Sequence, residues 1–590
     1  MSICFNKKFN LDKTKYIERY INTQVDIEGN IPFGFTSSID QNGKTNVYVY
    51  GKRNIEKNLP FESDSIYRMA SQSKFMGVTG FLKLIDKGMV SWDDPLKKYL
   101  PEYGSDMKVM TVYNPCGYKK IILNPFNTVK GSNIVHIRHD NKFKEGDVIS
   151  IEWMNGSLDV AETKLPVVNG IPGFELYNIF NINNITNNGY DINLFTKATL
   201  TGECGGKVNI LQVENGVKRS IYLSPDTYLI NPKIQTYYYK TIPLNRELTV
   251  LDIMTHGLGW SYYGSSLLYM SFGYASNPVK RNIQAGIWNE LGIPVGLPRS
   301  CWKCGIKNWV KLASKIPLLY QPGSDWSYGP QISILGALIE VIDGRDTEKY
   351  MKEELWNPLG MNNTGFFIQD NDPLYHDKVN RLCQLYVNMP KIVTKIIGKT
   401  IPFPPIYDAQ NCIFEGPRKL TFMDSGMYTT VDDYLKFMNM FLNNNNKILS
   451  SNMINIISTY TGCYNVSNLS TALSYTSGLS VPILGKSVIE IKRKRLLESI
   501  KWGLGVGTIQ GCKNNPYVDD NNNVSDILAI TWGGVLGTRS LIDFCSRVAF
   551  NVGTNVIGPP AGIFDADLIE LNYKSLNKHD YNAIIANVLL

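Results

Sequence analysis

Apolar and polar positions change their spacing several times along this chain, and the changes divide it. Residues 11–24 read as a helix. The next stretch, GNIPFGFTSSIDQNGKTNVYVYGKRN, alternates instead, and Asn42-Gly43 at its centre is a strong hairpin signal. Two strands are predicted there, over 32–38 and 45–50. After RMASQSK the period lengthens again. Phe75, Val78, Phe81, Leu82 and Ile85 recur at helical spacing, and Gly88 stands where a helix ends.

From about 104 to 245 the helical period is lost. Short alternating runs broken by glycine and asparagine, among them NIVHIRHDNKFKEGDVISIEW and TGECGGKVNILQVENG, predict an all-β insert. Helical periodicity resumes at RELTVLDIMTHGLGW and continues in GALIEVIDG, DTEKYMKEELWNPLGM and TVDDYLKFMNMFLNNN. Near the C-terminus ILAITWGGVLGTRSLIDF and SRVAFNVGTNVI read as two adjacent strands. A chain of 590 residues exceeds one compact core. The expected division is therefore a main domain over 1–103 and 246–590, interrupted by a β-rich domain over 104–245.

Composition narrows the function classes. With 43% hydrophobic and 19% charged residues the chain reads as globular. Its longest apolar run, ISILGALIEVI, is far short of the roughly 20 residues that span a bilayer. The first twenty residues show no apolar signal segment, so a cytoplasmic or particle-associated location is expected. A net charge of +8 over this length is modest, and IKRKRL reads as a solvated basic turn, so no nucleic-acid partner is expected. The ten cysteines have no repeating spacing, which predicts reduced thiols. CWKC (Cys301, Cys304) lacks a second pair for zinc, and His136 and His139 would point to opposite faces of a strand. Neither a metal nor a cofactor is expected.

The chemistry rests on Ser71 and Lys74. There is no G-x-S-x-G elbow and no H-E-x-x-H, and only five histidines are present, so a serine nucleophile would need another base. A desolvated lysine can serve. Three residues on along a helix, Lys74 lies on the face of Ser71, and the helix start offers N–H groups to a developing oxyanion. Spacing alone is not specific, because Ser575 and Lys578 repeat it in a polar stretch.

The surroundings are specific. FESDSIYRMASQSKFMGVTGFLKLIDKGMVSWDDPLKKYLPEY resembles the nucleophile region of the serine β-lactamase-related family, which holds class C β-lactamases, D-alanyl-D-alanine carboxypeptidases and related esterases. RELTVLDIMTHGLGW, YQPGSDWSYGPQISILGALIEVIDG, NPLGMNNTGF, MDSGMYTTVDDYLKFMNMFLNN and TWGGVLGTRSLID resemble further segments in the family's order, over about 30–103 and 247–560. The resemblance implies an α+β fold, an antiparallel sheet flanked by helices with an all-helical lobe over about 255–450. It implies Ser71 as the acylated nucleophile, Lys74 as base or proton relay and Tyr328 as proton shuttle. Trp532, Gly533 and Gly534 match the family's substrate-bordering strand, and the N–H groups of Val535 and Ser71 would form the oxyanion hole. Two positions depart from the pattern. Pro330 stands in place of an asparagine and Trp532 in place of a cation, which favours an ester over an anionic, amide-rich substrate.

The chain has two candidate roles. One is a serine hydrolase acting on a small-molecule ester, with β-lactam or peptide amides as the other candidate substrates. The alternative is an inactive relative serving as a binding or particle-associated protein. HDNKFKEGDVI in the insert resembles small β-modules of phage and viral structural proteins, which implies a role in protein contacts.

Overall fold

The N-terminal hairpin is built as its turn residues dictate. In the computed structural model, residues 11–572 are described apart from 388–418, 461–499, 444–447 and shorter stretches between 105 and 304 and between 511 and 571. Strand β1 (Phe33–Asp40) pairs antiparallel with β2 (Thr45–Asn54). The Asp40 carboxylate accepts the N–H groups of Asn42 and Lys44, and Gly43 takes a φ of 76°. A short polar side chain and a glycine thus hold the reversal.

Helices α1 (Leu11–Asn22), α2 (Ser73–Asp86), α3 (Ile334–Ile342) and α4 (Val431–Asn443) belong to the same compact unit as this hairpin. Every residue of α2 from Ser73 to Leu82 is buried. A helix enclosed on all sides belongs to a core rather than a surface, and α2 packs against α3.

After β3 (Leu59–Pro60), the main sheet is completed from the C-terminal quarter. Its further strands are β4 (Ile500–Trp502), β5 (Gly507–Gln510), β6 (Ile527–Gly534), β7 (Thr538–Asp543) and β8 (Val548–Gly553). The order is β4-β5-β6-β7-β8-β1-β2-β3, antiparallel throughout. Helices α1 and α4 both contact β1, which is buried along its whole length. Antiparallel sheet and segregated helices make an α+β fold. One prediction needs correction: ILAITWGGVLGTRSLIDF is a hairpin, β6 and β7, rather than a single strand. Gly537, at a φ of 80°, donates its N–H to the Gly534 carbonyl and turns the chain back.

A second compact unit comprises 108–243 with 277–291. A four-stranded and a five-stranded antiparallel sheet share a core that includes Val135, Ile137, Ile149, Ile151, Ile192, Val208 and Ile210. Strand Lys108–Tyr113 pairs antiparallel with Ile234–Pro243, Lys108 lying opposite Pro243. The chain therefore leaves and returns at adjacent points, the geometry that lets a unit be inserted within another's sequence.

His136 lies in strand Ile134–Arg138, its Nδ1 2.8 Å from an Asp191 oxygen. His139, the CWKC pair, IKRKRL and the Ser575–Lys578 repeat fall outside the described residues. Among the described residues no acidic, histidine and cysteine cluster could hold a metal ion, and no helix is long and apolar enough to cross a membrane.

Candidate active site

Ser71 is presented by a strained turn. Strand Tyr67–Arg68 pairs with Tyr428–Thr429, and Met69 then donates its N–H to the Met427 carbonyl. Ala70 follows at a φ of 49°, a conformation that non-glycine residues rarely adopt. The chain continues through a 3-10 turn, Ala70–Gln72, directly into α2. Backbone strain of this kind persists only where the surroundings over-determine it, as they do at functional sites. Ser71 is half-buried, whereas Gln72, Ser73 and Lys74 behind it are fully enclosed.

Around Ser71 the structure gathers Lys74 and Tyr328. Lys74 Nζ lies 3.3 Å from Ser71 Oγ, and the Tyr328 phenol is hydrogen-bonded with Ser71. Lys74 also donates to Tyr262 Oη at 2.8 Å and to the Asp424 carbonyl at 2.8 Å. Its Nζ sits over the rings of Tyr262 and Tyr328, 5.0 and 4.6 Å from their centroids. Burial pushes the Lys74 ammonium down to about 8, and the Asp424 charge holds it up against that. Burial also pushes the Tyr328 phenol well above its ordinary value, with the bonds to Ser71 and Trp532 pulling the other way.

The strand residues border this group. Trp532, 6% exposed, donates its indole N–H to Tyr328 Oη at 2.9 Å, so its polar edge is turned to the phenol. Gly533 and Gly534 end β6, and Val535 opens the turn beyond it rather than extending the strand. The Thr538 hydroxyl donates to the Met69 carbonyl at 3.0 Å, which fastens β7 to the Ser71 turn. Pro330 begins the 3-10 turn after Tyr328 and is buried.

Four further residues, Tyr262, His256, Ser333 and Asp424, join the cluster without having been singled out as candidates. The Asp424 carboxylate accepts hydrogen bonds from the hydroxyls of Tyr262 and Ser333 and lies 3.8 Å from Lys74 Nζ. His256 is buried at a φ of 60°, stacked on Trp502 with ring centroids 4.6 Å apart and edge-on to Tyr328 at 5.2 Å. Neither of its ring nitrogens has a hydrogen-bond partner among the described residues. Burial, with the Lys74 charge, pushes its imidazolium well below the usual range, so it stands there as a neutral ring. Spacing could not have found Tyr262 or Asp424. The signal available for Asp424 was its place in MDSGMYTTVDDYLKFMNMFLNN, one of the segments that resemble the family.

Comparison with known proteins bears on the family and the fold. A family model described as Beta-lactamase matches residues 38–114 and 226–461, just over half of the chain. Protein Rv1367c of Mycobacterium tuberculosis is 25% identical over 205 residues, 34% of this chain and 41% of that protein. Esterase EstB of Burkholderia gladioli is 28% identical over 158 residues, 25% of this chain and 37% of its own. The chain thus spans about two-fifths of the length of the curated relatives it matches. Among solved structures, simvastatin synthase (LovD) from Aspergillus terreus superposes with a TM-score of 0.56 at 14% identity, over 97% of this chain and 98% of that one. EstCE1, a hydrolase with promiscuous acyltransferase activity, gives 0.50 at 14% identity, over 95% and 98%. At such identities the two structures share the fold alone.

Proposed function

The chain belongs to the beta-lactamase family, and from that premise we propose that it is a serine hydrolase working through an acyl-Ser71 intermediate, with carboxylic esters as its substrates. The observation that carries this reading is the convergence of Lys74 and Tyr328 on the half-buried Ser71 hydroxyl, behind a strained turn. In the proposed reaction the neutral Lys74 amine takes the Ser71 proton as Oγ attacks the ester carbonyl. Tyr328, which burial keeps as a phenol rather than a phenolate, passes its proton to the departing alkoxide and takes back the one that Lys74 removed from Ser71, so that amine and phenol are both restored. The N–H groups of Ser71 and Val535 receive the oxyanion. Water then repeats the sequence on the acyl-enzyme.

Esters are favoured over β-lactams for a physical reason. A buried tryptophan whose N–H serves Tyr328 occupies the position of the family's cation, and Pro330 offers no amide. A missing charge-assisted contact is worth about 1.5–3 kcal/mol, roughly ten- to a hundredfold in transition-state binding of an anionic substrate. Short-chain p-nitrophenyl esters are therefore expected to turn over faster than a chromogenic cephalosporin, and a fluorophosphonate probe is expected to label Ser71. Faster cephalosporin turnover would remove the ester preference while leaving the serine chemistry. No labelling and no turnover would leave the chain as an inactive, binding relative. Tyr328→Phe is expected to lower kcat with little change in KM, because it removes a proton donor and not a binding surface.

A further inference from the structure

The hydrogen bonds of Lys74 pose a difficulty for its role. Its Nζ has three acceptors around it: Ser71 Oγ, Tyr262 Oη and the Asp424 carbonyl. Three acceptors match the three donors of an ammonium, which has no lone pair left to take a proton. The Asp424 carboxylate beside it, 3.8 Å from Nζ, favours the same cation. Both side chains are completely enclosed. As it rests, the cluster holds Lys74 in the form that cannot activate Ser71.

The same cluster contains the way out. Tyr262 Oη accepts from Lys74 Nζ and donates to an Asp424 carboxylate oxygen, while Ser333 donates to the other oxygen and fixes the carboxylate in place. Building on the reading of Ser71 as nucleophile, we infer that Asp424, acting through Tyr262, is the proton acceptor that converts Lys74 into the amine Ser71 needs. The Lys74 N–H bond breaks as its proton passes to Tyr262 Oη, and the Tyr262 O–H bond breaks as its own proton passes to Asp424. Ammonium and carboxylate become amine and carboxylic acid. The phenol is regenerated, and no proton crosses the boundary of the cluster. Complete burial takes the hydration of both charges away, so the neutral pair lies within reach. Asp424 touches neither substrate nor Ser71 Oγ in this scheme. It is a positioning residue that acts through Lys74.

The relay has a signature in pH dependence that a structural role would lack. Ion pair and neutral pair contain the same number of protons, so their ratio does not vary with pH. Of the other groups facing Lys74, burial keeps Tyr328 a phenol and His256 a neutral ring. The test is kcat/KM for a short-chain p-nitrophenyl ester, with the rate of fluorophosphonate labelling at Ser71, between pH 5 and 9. Wild type, Tyr262→Phe and Asp424→Asn are compared. Between pH 6 and 7 the wild type is expected to change by less than about twofold, whereas Tyr262→Phe, whose lysine must lose its proton to solvent, changes about tenfold. Asp424→Asn shows such a limb at lower pH than Tyr262→Phe, because it alone removes the charge that holds the lysine protonated. A wild type that itself falls about tenfold per pH unit below 8 overturns the relay, as do variants slowed by one factor at every pH. A wild type that neither reacts nor labels overturns the hydrolase reading and the relay with it.

Discussion

Ser71→Ala, Lys74→Ala and the double variant are expected to lose ester hydrolysis to nearly the same extent, by about 10⁴-fold or more, because members of one catalytic unit are not additive. Ser71 Oγ and Lys74 Nζ are 3.3 Å apart, and in the proposed reaction they share one proton transfer. Once the hydroxyl is gone the amine has nothing to activate, and the reverse holds equally. Stability should separate what activity cannot. Ser71 is half-buried and its hydroxyl can be removed cheaply, so Ser71→Ala should unfold near the wild-type temperature. Lys74→Ala instead strands the enclosed Asp424 carboxylate, and losing one member of a buried pair costs about 3–5 kcal/mol. Adding Asp424→Asn to Lys74→Ala is then expected to recover much of that stability and none of the activity. Thermal unfolding beside p-nitrophenyl ester kinetics reads both. A double variant whose loss is the sum of two separate losses would show that Ser71 and Lys74 do not act together.

How each feature is encoded decides whether the sequence made it legible or concealed it. Ser71 and Lys74 are three residues apart, and the apolar stripe from Phe75 to Ile85 announces the helix that carries the lysine. Tyr328 could be picked out because PGSDWSYG surrounds it at its place in an ordered series of segments. Asp424 and Tyr262 are 162 positions apart in sequence and meet Lys74 only once their segments are packed around α2. No period or local pattern marks such a contact. Trp532 shows a different limit. Its position bordering the site was legible, but the direction of its indole N–H, toward Tyr328, is set by side-chain geometry. The β6–β7 reversal was concealed because apolar residues run on both sides of Gly533-Gly534, so the alternation carries through the turn.

Gly534→Ala is expected to cost both activity and stability, and the reason lies in how closely β6 approaches the Ser71 turn. A Cβ at this position would fall 2.5 Å from Thr538 Oγ1, closer still to the Met69 carbonyl oxygen and 3.0 Å from the Ala70 Cβ. Two of these neighbours belong to the strained turn that sets the direction of Ser71, and Met69 O is backbone that no rotamer change can move aside. The strand must therefore back away, and the Thr538 bond to Met69 opens with it. A displacement of about 1 Å at a reacting group is worth about a hundredfold in rate, and overpacking of this kind costs about 1–3 kcal/mol. Gly43→Ala is the comparison. Gly43 has a φ of 76° in the β1–β2 turn with nothing within 4 Å of its added Cβ. It should lose about 1 kcal/mol from backbone strain alone and keep its rate. Ester hydrolysis, probe labelling and thermal unfolding of the two variants separate close approach from strain. Should Gly534→Ala keep more than about a third of wild-type kcat/KM, β6 would not be what holds Ser71 in register.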